Sequence, residues 1–102
     1  LSKSWKGHNV FCNPPYSNNK KWIPKCFYES FQDETQVILL CPARTCTKFF
    51  HEYCMKSKEI YFVQNRLKFG DSKSTAPFPS MIVVFNNLYR TGCPIIGSLP
   101  RE

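Results

Sequence analysis

The sequence predicts an α/β fold with a mixed sheet, and three observations lead to that prediction. Apolar segments alternate with helical patterns along the first half of the chain, in the order strand, helix, strand, helix. Residues 36–41 form an uninterrupted apolar run, typical of a strand buried on both sides in a parallel sheet. Two more strand patterns follow with only a loop between them, which favours a C-terminal antiparallel hairpin.

The first predicted strand covers residues 9–12 and runs into a rigid polar turn, Asn13 to Ser17. Two consecutive prolines in this turn fix φ near about −65° and have no backbone N–H. The turn therefore has carbonyls that cannot join a ladder, next to the Asn13 amide and the Tyr16 ring. These groups converge at the carboxyl end of a strand, which is where open α/β sheets bind ligands.

An amphipathic helix is predicted after this turn, with Ser17 or Asn18 as its N-cap. Pro24 is expected in its first turn, where proline is tolerated. The apolar residues that recur at helical spacing are Trp22, Ile23, Cys26, Phe27 and Phe31. The lysines expected on the solvated face are Lys20, Lys21 and Lys25.

A second helix is predicted after the apolar run, capped by Thr45 or Thr47. His51 is expected on its solvated flank rather than as a ligand or a base. Its inner stripe consists of Phe49, Phe50, Tyr53 and Cys54.

The second half of the chain predicts two more strands. Alternation over residues 59–69 indicates a third strand, small polar residues 71–75 indicate a mobile loop, and residues 81–85 read as a fully apolar fourth strand. Residues 87–102 show no periodicity and are expected to be an irregular tail. We expect residues 1–102 to form a single, partial domain.

Composition favours a packed chain with a polyanionic partner. The 102 residues are 42% hydrophobic and 16% aromatic, which argues against disorder, and the net charge of +7 suits nucleic acid. No apolar run is long enough to span a bilayer and no signal peptide is visible, so a cytoplasmic protein with no membrane partner is expected. A start at Leu1 rather than methionine suggests a fragment.

Six cysteines raise the possibility of disulfides or a metal site, and neither is favoured. The chain has no Cys-x-x-Cys pair, and His8 and His51 do not stand at zinc-finger spacing. Four of the six lie in predicted strands or on apolar helix faces, where a free cysteine packs as a small hydrophobe. We therefore predict reduced thiols and no metal.

The tetrapeptide Asn-Pro-Pro-Tyr, residues 13–16, resembles the catalytic motif of the amino-methyltransferases, which use S-adenosylmethionine. The resemblance implies that Asn13 Oδ1 and the Pro14 carbonyl accept the two hydrogens of the target amine. Tyr16 would then stack on a base swung out of the duplex. The same residues can also form an ordinary turn. The flanking sequence therefore has to distinguish a catalytic motif from a turn.

Several flanking blocks in collinear order narrow the resemblance to the phage-type, Dam-like DNA N6-adenine methyltransferases. These blocks are residues 10–17, 41–45, 49–52, 65–70 and 76–81. The resemblance implies the second half of a Rossmann-like S-adenosylmethionine-dependent methyltransferase fold, double-stranded DNA as partner, and a bacterial or prophage origin. The implied catalytic residues are Asn13, Pro14, Pro15 and Tyr16, of which Asn13 and Pro14 also contact the cofactor.

Basic and polar residues near this motif are candidates for DNA contact: Ser17, Arg44, Arg66 and Lys68. For Arg44, Arg66 and Lys68 a purely structural role is an open alternative.

Two departures from the family stand out. Cys46 occupies a place where the family usually has an acidic residue, and the cofactor-binding strands that precede the motif in the family are not in this chain, which has no Gly-x-Gly turn. We expect the rest of the cofactor site outside this chain.

Two alternatives remain open. The same motif serves enzymes that methylate glutamine in proteins or guanine in RNA, and the chain could also be an inactive prophage remnant or a nucleic-acid-binding fragment. A 5-methylcytosine enzyme is disfavoured because it needs a nucleophilic cysteine, typically in a Pro-Cys pair, and both pairs here run Cys-Pro. The oligomeric state is not predicted, although an open edge at the first strand invites pairing.

Overall fold

Five strands form one mixed sheet in a computed structural model of the chain, which describes residues 4–14, 19–65, 78–86 and 93–99. Their order across the sheet is β1-β2-β4-β3-β5. The mixed α/β architecture predicted from the sequence is confirmed, and it is compatible with a methyltransferase-like fold. The strands are β1 (Asn9–Cys12), β2 (Gln36–Pro42), β3 (Glu59–Val63), β4 (Ser80–Asn86) and β5 (Ile95–Leu99).

One strand, β4, runs against the other four. It lies between β2 and β3 and pairs antiparallel with both, whereas β1 pairs parallel with β2 and β5 parallel with β3. The register places Cys12 opposite Leu39, and Pro42 opposite Ser80. The carboxyl ends of β1, β2 and β3 therefore meet the amino end of β4 at one side of the sheet, which we call the carboxyl edge.

Helix α1 (Asn19–Glu29), helix α2 (Lys48–Glu52) and a 3₁₀ turn (Cys54–Lys56) pack on one face of the sheet. Phe27 of α1 joins the layers through edge-to-face ring contacts, with centroids 6.0 Å from Phe85 of β4 and 5.3 Å from Tyr53. Burial of one such side chain stabilises the folded state by about 1.5–3 kcal/mol. The strand residues buried beneath the helices are Cys12, Val37, Leu39, Cys41, Ile60, Met81, Val83 and Phe85.

The opposite sheet face is less covered than the sequence predicts. The apolar run at β2 was expected to be buried on both sides, but Ile38 and Leu40 are only half-buried, and Phe11 beside them is 63% exposed. The physical reason is that every helix within the described ranges packs on the face of Val37 and Leu39. Alternation therefore decides burial even in an uninterrupted apolar strand.

Helix α1 differs from its sequence prediction at three residues. Because the helix begins at Asn19, Pro24 falls in its second turn, where it removes one main-chain hydrogen bond. Phe31 follows the helix end and is 45% exposed. Lys25, expected on a solvated face, is only 12% exposed because it pairs with Glu29 at 3.2 Å. The caps proposed at Ser17 and Asn18 lie outside the described residues.

Helix α2 is shorter than predicted. Thr47 stands at its N-cap, as expected, but its hydroxyl donates to the Arg44 carbonyl at 2.6 Å instead of capping the helix. Phe50 and Cys54 are buried, whereas Phe49 and Tyr53 are half-buried. The helix ends where Tyr53 takes φ −118°.

Strand β3 also ends earlier than its sequence pattern. It stops at Val63, and Asn65 then adopts a positive φ of 63°, which turns the chain out of the extended conformation. Its antiparallel pairing places Glu59 opposite Val84 and Phe62 opposite Met81. The predicted strand residues beyond 65 and the predicted loop at 71–75 lie outside the described residues.

Strand β5 was not expected, because residues 87–102 lack periodicity. It pairs with β3 at the sheet edge, with the Ile95 N–H donating to Lys58 O at 3.0 Å and the Gln64 N–H to Leu99 O at 2.8 Å. Gly97 lies opposite Tyr61. A Cβ at Gly97 would stand 2.7 Å from two Tyr61 ring atoms, so the missing side chain makes room for the ring.

None of the helices in the described ranges is long and apolar enough to cross a membrane.

We expect Gly97→Ala to lower the free energy of unfolding by about 1–3 kcal/mol, because the added methyl overlaps the Tyr61 ring. Urea unfolding followed by circular dichroism measures the change. Ser98→Ala, at an exposed neighbouring position in β5, is the control and should stay within about 0.5 kcal/mol of the wild type. Equal stability of the Gly97→Ala and Ser98→Ala proteins would contradict the packing role of Gly97.

Candidate functional site

The predicted catalytic motif begins at the carboxyl edge. Asn13 and Pro14 follow β1 directly, with Asn13 exposed and Pro14 half-buried. Since β1 ends at Cys12, neither residue belongs to a strand of the sheet. The remaining members of the motif, Pro15 and Tyr16, and the adjacent Ser17 lie outside the described residues.

A cavity of about 320 Å³ opens beside Asn13 and Pro14. That volume falls at the lower end of the range for small-molecule sites, about 300–1,000 Å³. Among the lining residues that the structure describes, most are apolar and the Asn13 amide is the one strongly polar side chain. The lining residues are Trp5, Val10, Phe11, Cys12, Asn13, Pro14 and Trp22.

Two tryptophan rings form part of this cavity wall. The Trp5 and Trp22 centroids are 6.5 Å apart and their planes differ by 15°. Lys25 Nζ stands 5.1 Å from the Trp5 centroid, a cation–π contact. Both rings pack against the core while remaining only half-buried.

Trp5 is anchored through its main chain. Its main-chain N–H donates to Glu29 Oε1 at 2.5 Å, a contact far away in the sequence, and its carbonyl accepts from the nearby His8 N–H at 3.1 Å. No local pattern before β1 marks the contact with Glu29. The tryptophan beside Lys3 and Lys6 was the one available signal.

Glu29 holds this segment as a carboxylate. Burial of its side chain, 16% exposed, acts to raise its pKa, but the Trp5 N–H, the Lys25 ammonium and the Gln32 amide together hold the pKa below its ordinary value. The Gln32 Nε2 donor is 2.6 Å from Glu29 Oε1. The charge on Glu29 therefore persists at neutral pH and fixes Trp5 to α1.

The loop between β2 and α2 presents Arg44 at the same edge. The Arg44 carbonyl accepts from both the Thr47 N–H at 3.2 Å and the Thr47 hydroxyl at 2.6 Å. His51, exposed as predicted, also donates from Nε2 to Thr45 O at 2.8 Å, an interaction that the sequence did not indicate. The Arg44 guanidinium is exposed and lies 5.8 Å from the Phe78 ring centroid.

Arg44 thus shares the carboxyl edge with Asn13, in the loop that follows β2, the strand next to β1. Its loop is also tied to β4 by the Ala43 N–H, which donates to Pro79 O at 2.8 Å. The other predicted DNA contacts, Arg66 and Lys68, lie outside the described residues.

Four cysteines are buried in the core, as predicted, and none of the six forms a disulfide. The Cys12 and Cys26 thiols are hydrogen-bonded, which raises the pKa of Cys26 strongly and lowers that of Cys12. A hydrogen bond to Cys54, together with burial, raises the pKa of Cys41 strongly. No three metal-ligating side chains converge within the part of the chain that the structure describes.

Comparison with known proteins gives two matches. The family model described as DNA N-6-adenine-methyltransferase (Dam) matches residues 1–99. A DNA N-6-adenine-methyltransferase of Haemophilus phage HP1 (strain HP1c1) is 29% identical over 91 residues, which cover 83% of this chain and 53% of that protein. The chain therefore spans about half the length of this curated relative. No solved structure matches the chain significantly.

We expect Glu29→Gln to destabilise the chain at pH 7 by about 1 kcal/mol, because it removes a charged hydrogen-bond acceptor from Trp5, Lys25 and Gln32. Since folding lowers the pKa of Glu29, its contribution is present above the unfolded-state pKa and is lost as the pH falls through the folded-state value. The difference between wild type and variant should therefore shrink as the pH falls through the folded-state pKa of Glu29, which lies below its ordinary value.

Urea unfolding at several pH values between 7 and about 3 measures this effect. Glu52→Gln is the matched control, because the Glu52 ion pair with Lys48 is 3.6 Å long and exposed, and such pairs contribute little. An equal loss in both variants would show that Glu29 does not anchor Trp5.

Proposed function

Because the chain belongs to the DNA N-6-adenine-methyltransferase (Dam) family, we propose that it supplies the target-amine site for transfer of a methyl group from S-adenosylmethionine to adenine N6 in double-stranded DNA. Asn13, Pro14, Pro15 and Tyr16 are the proposed catalytic residues. The observation that carries the proposal is the position of Asn13. Its amide stands at the carboxyl end of β1, outside the sheet ladder and on the rim of the 320 Å³ cavity.

Asn13 Oδ1 and the Pro14 carbonyl would each accept one hydrogen of the adenine amine. With both hydrogens held, the nitrogen lone pair is turned out of conjugation with the purine ring and toward the incoming methyl carbon. Positive charge that develops on nitrogen is stabilised by the two oxygens. The bound cofactor supplies a methyl group on a positively charged sulfur, and the amine finally loses one proton to solvent. This chemistry needs no covalent bond to the protein.

Adenine N6 cannot reach such a site inside a duplex, so the target base has to be swung out of the stack. Tyr16 is the proposed ring on which the extruded base stacks. Pro15 would stiffen the turn that carries this ring, because its φ is fixed. A rigid turn holds the acceptors and the ring in one arrangement before the base arrives, which lowers the entropic cost of binding.

The described residues suit the methyl-donating part of the cofactor, but they do not suit its ribose. Asn13 and Pro14 line a cavity where the methyl group would approach the amine. Ribose hydroxyls could be bound directly after β1, β2 and β3, but the described residues at these places are Asn13, Ala43 and Gln64, and none of them is a carboxylate. We therefore place the remaining cofactor contacts outside this chain.

The sheet order supports our proposal on the fold. Antiparallel β4 is inserted between β2 and β3, an order that supports assigning the chain to the second half of a Rossmann-like methyltransferase fold.

DNA contact is proposed for Ser17, Arg44, Arg66 and Lys68. The net charge of +7 provides a general attraction to phosphate. Arg44 has structural support, since its guanidinium is exposed at the carboxyl edge and its loop is fixed by Thr47 and by β4. A fixed loop presents the guanidinium in one place, which suits a bidentate contact with a phosphate.

We expect Asn13→Ala to lower kcat for methyl transfer by about 10²- to 10³-fold, the usual effect of removing one oriented group that stabilises transition-state charge. The full chain is incubated with S-adenosylmethionine labelled in the methyl group and with duplex DNA, and N6-methyladenine is quantified by mass spectrometry. Asn9→Ala is the matched control, because Asn9 is an exposed asparagine at the other end of β1. It should retain activity.

Parallel incubations with protein and RNA extracts test the alternative substrates. Label in protein or RNA but not in DNA would overturn the DNA assignment. Absence of label from all three, with a folded chain, would identify an inactive or incomplete unit.

We expect Arg44→Gln to weaken DNA binding and to reduce the slope of log K against log salt concentration by about 0.9, the value for one lost phosphate contact. Fluorescence anisotropy with a labelled duplex at several salt concentrations measures both quantities. Lys56→Gln removes a charge that is exposed before the amino end of β3, at the opposite side of the sheet, and should leave the slope unchanged. Equal slopes in wild type and Arg44→Gln would assign Arg44 a structural role instead.

A further inference from the structure

Two pairs of thiols lie in the core beneath the carboxyl edge. Cys12, the last residue of β1, is hydrogen-bonded through its thiol to Cys26 of α1. Cys41, near the end of β2, is hydrogen-bonded in the same way to Cys54 of the 3₁₀ turn. Because the register sets Cys12 opposite Leu39, Cys41 lies two residues further along the same sheet face of the neighbouring strand. Each pair thus joins the end of a strand to the helical layer.

The two pairs differ in their access to solvent. Cys12 is 8% exposed and lines the 320 Å³ cavity beside Asn13. Its partner Cys26 is fully buried, and neither Cys41 nor Cys54 lines this cavity. A small solute that enters the cavity therefore reaches the Cys12 sulfur, which has a second thiol within hydrogen-bond distance.

The thiols of the first pair also differ in acidity. The Cys26 S–H donates a hydrogen bond to the Cys12 sulfur, which holds the pKa of Cys12 below its ordinary value although burial acts to raise it. The same hydrogen bond, together with burial, raises the pKa of Cys26 strongly. Since the thiolate is the nucleophile in thiol chemistry, the accessible sulfur is the reactive one and the buried sulfur keeps its proton.

We propose that Cys12 and Cys26 form a redox-active dithiol that a hydroperoxide oxidises to a disulfide. The proposal rests on the hydrogen-bonded pair of sulfur atoms and on the cavity that gives access to one of them. It does not depend on the proposed function.

The oxidation takes place in two steps. The Cys12 thiolate attacks one oxygen of hydrogen peroxide, so that an S–O bond forms, the O–O bond breaks, and the departing hydroxide takes up a proton to become water. The Cys26 sulfur then attacks the Cys12 sulfur. The S–S bond forms as the S–O bond breaks, and the Cys26 proton leaves with the hydroxide as a second water. Two thiols are oxidised to one disulfide, and one peroxide is reduced to two waters.

Alkylation of each thiol in the full chain measures this reaction. The reduced, folded chain is treated with hydrogen peroxide for increasing times, and the remaining thiols are blocked with N-ethylmaleimide in denaturant. Cleavage after Lys, Arg and Glu separates the four cysteines, because Glu29 and Glu34 lie between Cys26 and Cys41. Mass spectrometry then quantifies every free thiol and detects any two peptides joined by a disulfide.

We expect Cys12 and Cys26 to be lost together, with formation of one disulfide between them. Their loss should be at least about tenfold faster than that of Cys41, because the reactive form is the thiolate. The pair of Cys41 and Cys54 is a matched internal control. Its thiols are also buried and hydrogen-bonded, but the bond to Cys54 and burial raise the pKa of Cys41.

Substitutions separate the two steps. Cys26→Ser keeps the Cys12 thiol but removes the second sulfur, so Cys12 should stop at the sulfenic acid, which the 1,3-diketone dimedone traps. Cys12→Ser should leave Cys26 reduced. Cys54→Ser removes the corresponding thiol of the other pair, and this variant should form the disulfide between Cys12 and Cys26 at the wild-type rate.

The proposal is overturned if the folded wild-type chain loses Cys12 no faster than Cys41, or if Cys12 and Cys26 are lost without a disulfide between them. Neither result depends on the folding of a variant. Disulfide formation in a chain that transfers no methyl group would contradict the proposed function alone. Methyl transfer by a chain in which peroxide leaves Cys12 reduced would contradict the dithiol alone.

Discussion

The parallel pairing of β1 with β2 is the interaction on which the candidate site depends. β1 has only four residues, and β2 is its one neighbour in the described sheet. The pairing starts where the Gln36 N–H donates to His8 O at 3.1 Å, and it sets Cys12 opposite Leu39. A slip of one residue would move Val10 and Cys12 from the helix face to the opposite face, so burial of these side chains also fixes the position of Asn13.

The same packing explains how a short edge strand keeps its register. Cys12 is buried against α1, where its thiol meets that of Cys26, and Leu39 and Val83 continue the buried row across the sheet. High pKa values keep the Cys26 and Cys41 thiols protonated, so they pack as small hydrophobes. Within the described ranges the helices cover one sheet face only. The fixed position of the candidate site therefore depends on the single layer of side chains buried between these helices and the sheet.

The sequence predicts those parts of the molecule that local patterns determine. Strand β1 has the predicted bounds. Strand β2 is one residue longer than predicted at its carboxyl end and β4 one residue longer at each end, because their apolar runs are bounded by polar or turn residues. Strand β5 could not be predicted, since Gly97 is defined by the distant Tyr61 ring and not by any periodicity.

At the site, the position of Asn13 after a strand was predictable, whereas the anchoring of Trp5 was not. The hydrogen bond from Trp5 to Glu29 spans 24 residues, and no local pattern indicates a contact of that kind. The two hydrogen bonds from Thr47 to the Arg44 carbonyl also replace the helix cap that a threonine at that position suggests. Sequence patterns thus identify which groups are at the carboxyl edge, and tertiary contacts decide which of them are held rigid.

Rigidity is what the proposed chemistry requires of this chain. A methyl transfer without a covalent intermediate gains its rate from orientation and from fixed dipoles, and both are lost if the acceptors move by about 1 Å. The cavity wall beside Asn13 is fixed from two directions, by Glu29 behind Trp5 and by the buried helix face beneath β1. The Arg44 loop is fixed separately, through Thr47, His51 and β4. The proposed phosphate contact and the proposed presentation of the target amine therefore depend on different elements, so a change in one can leave the other intact.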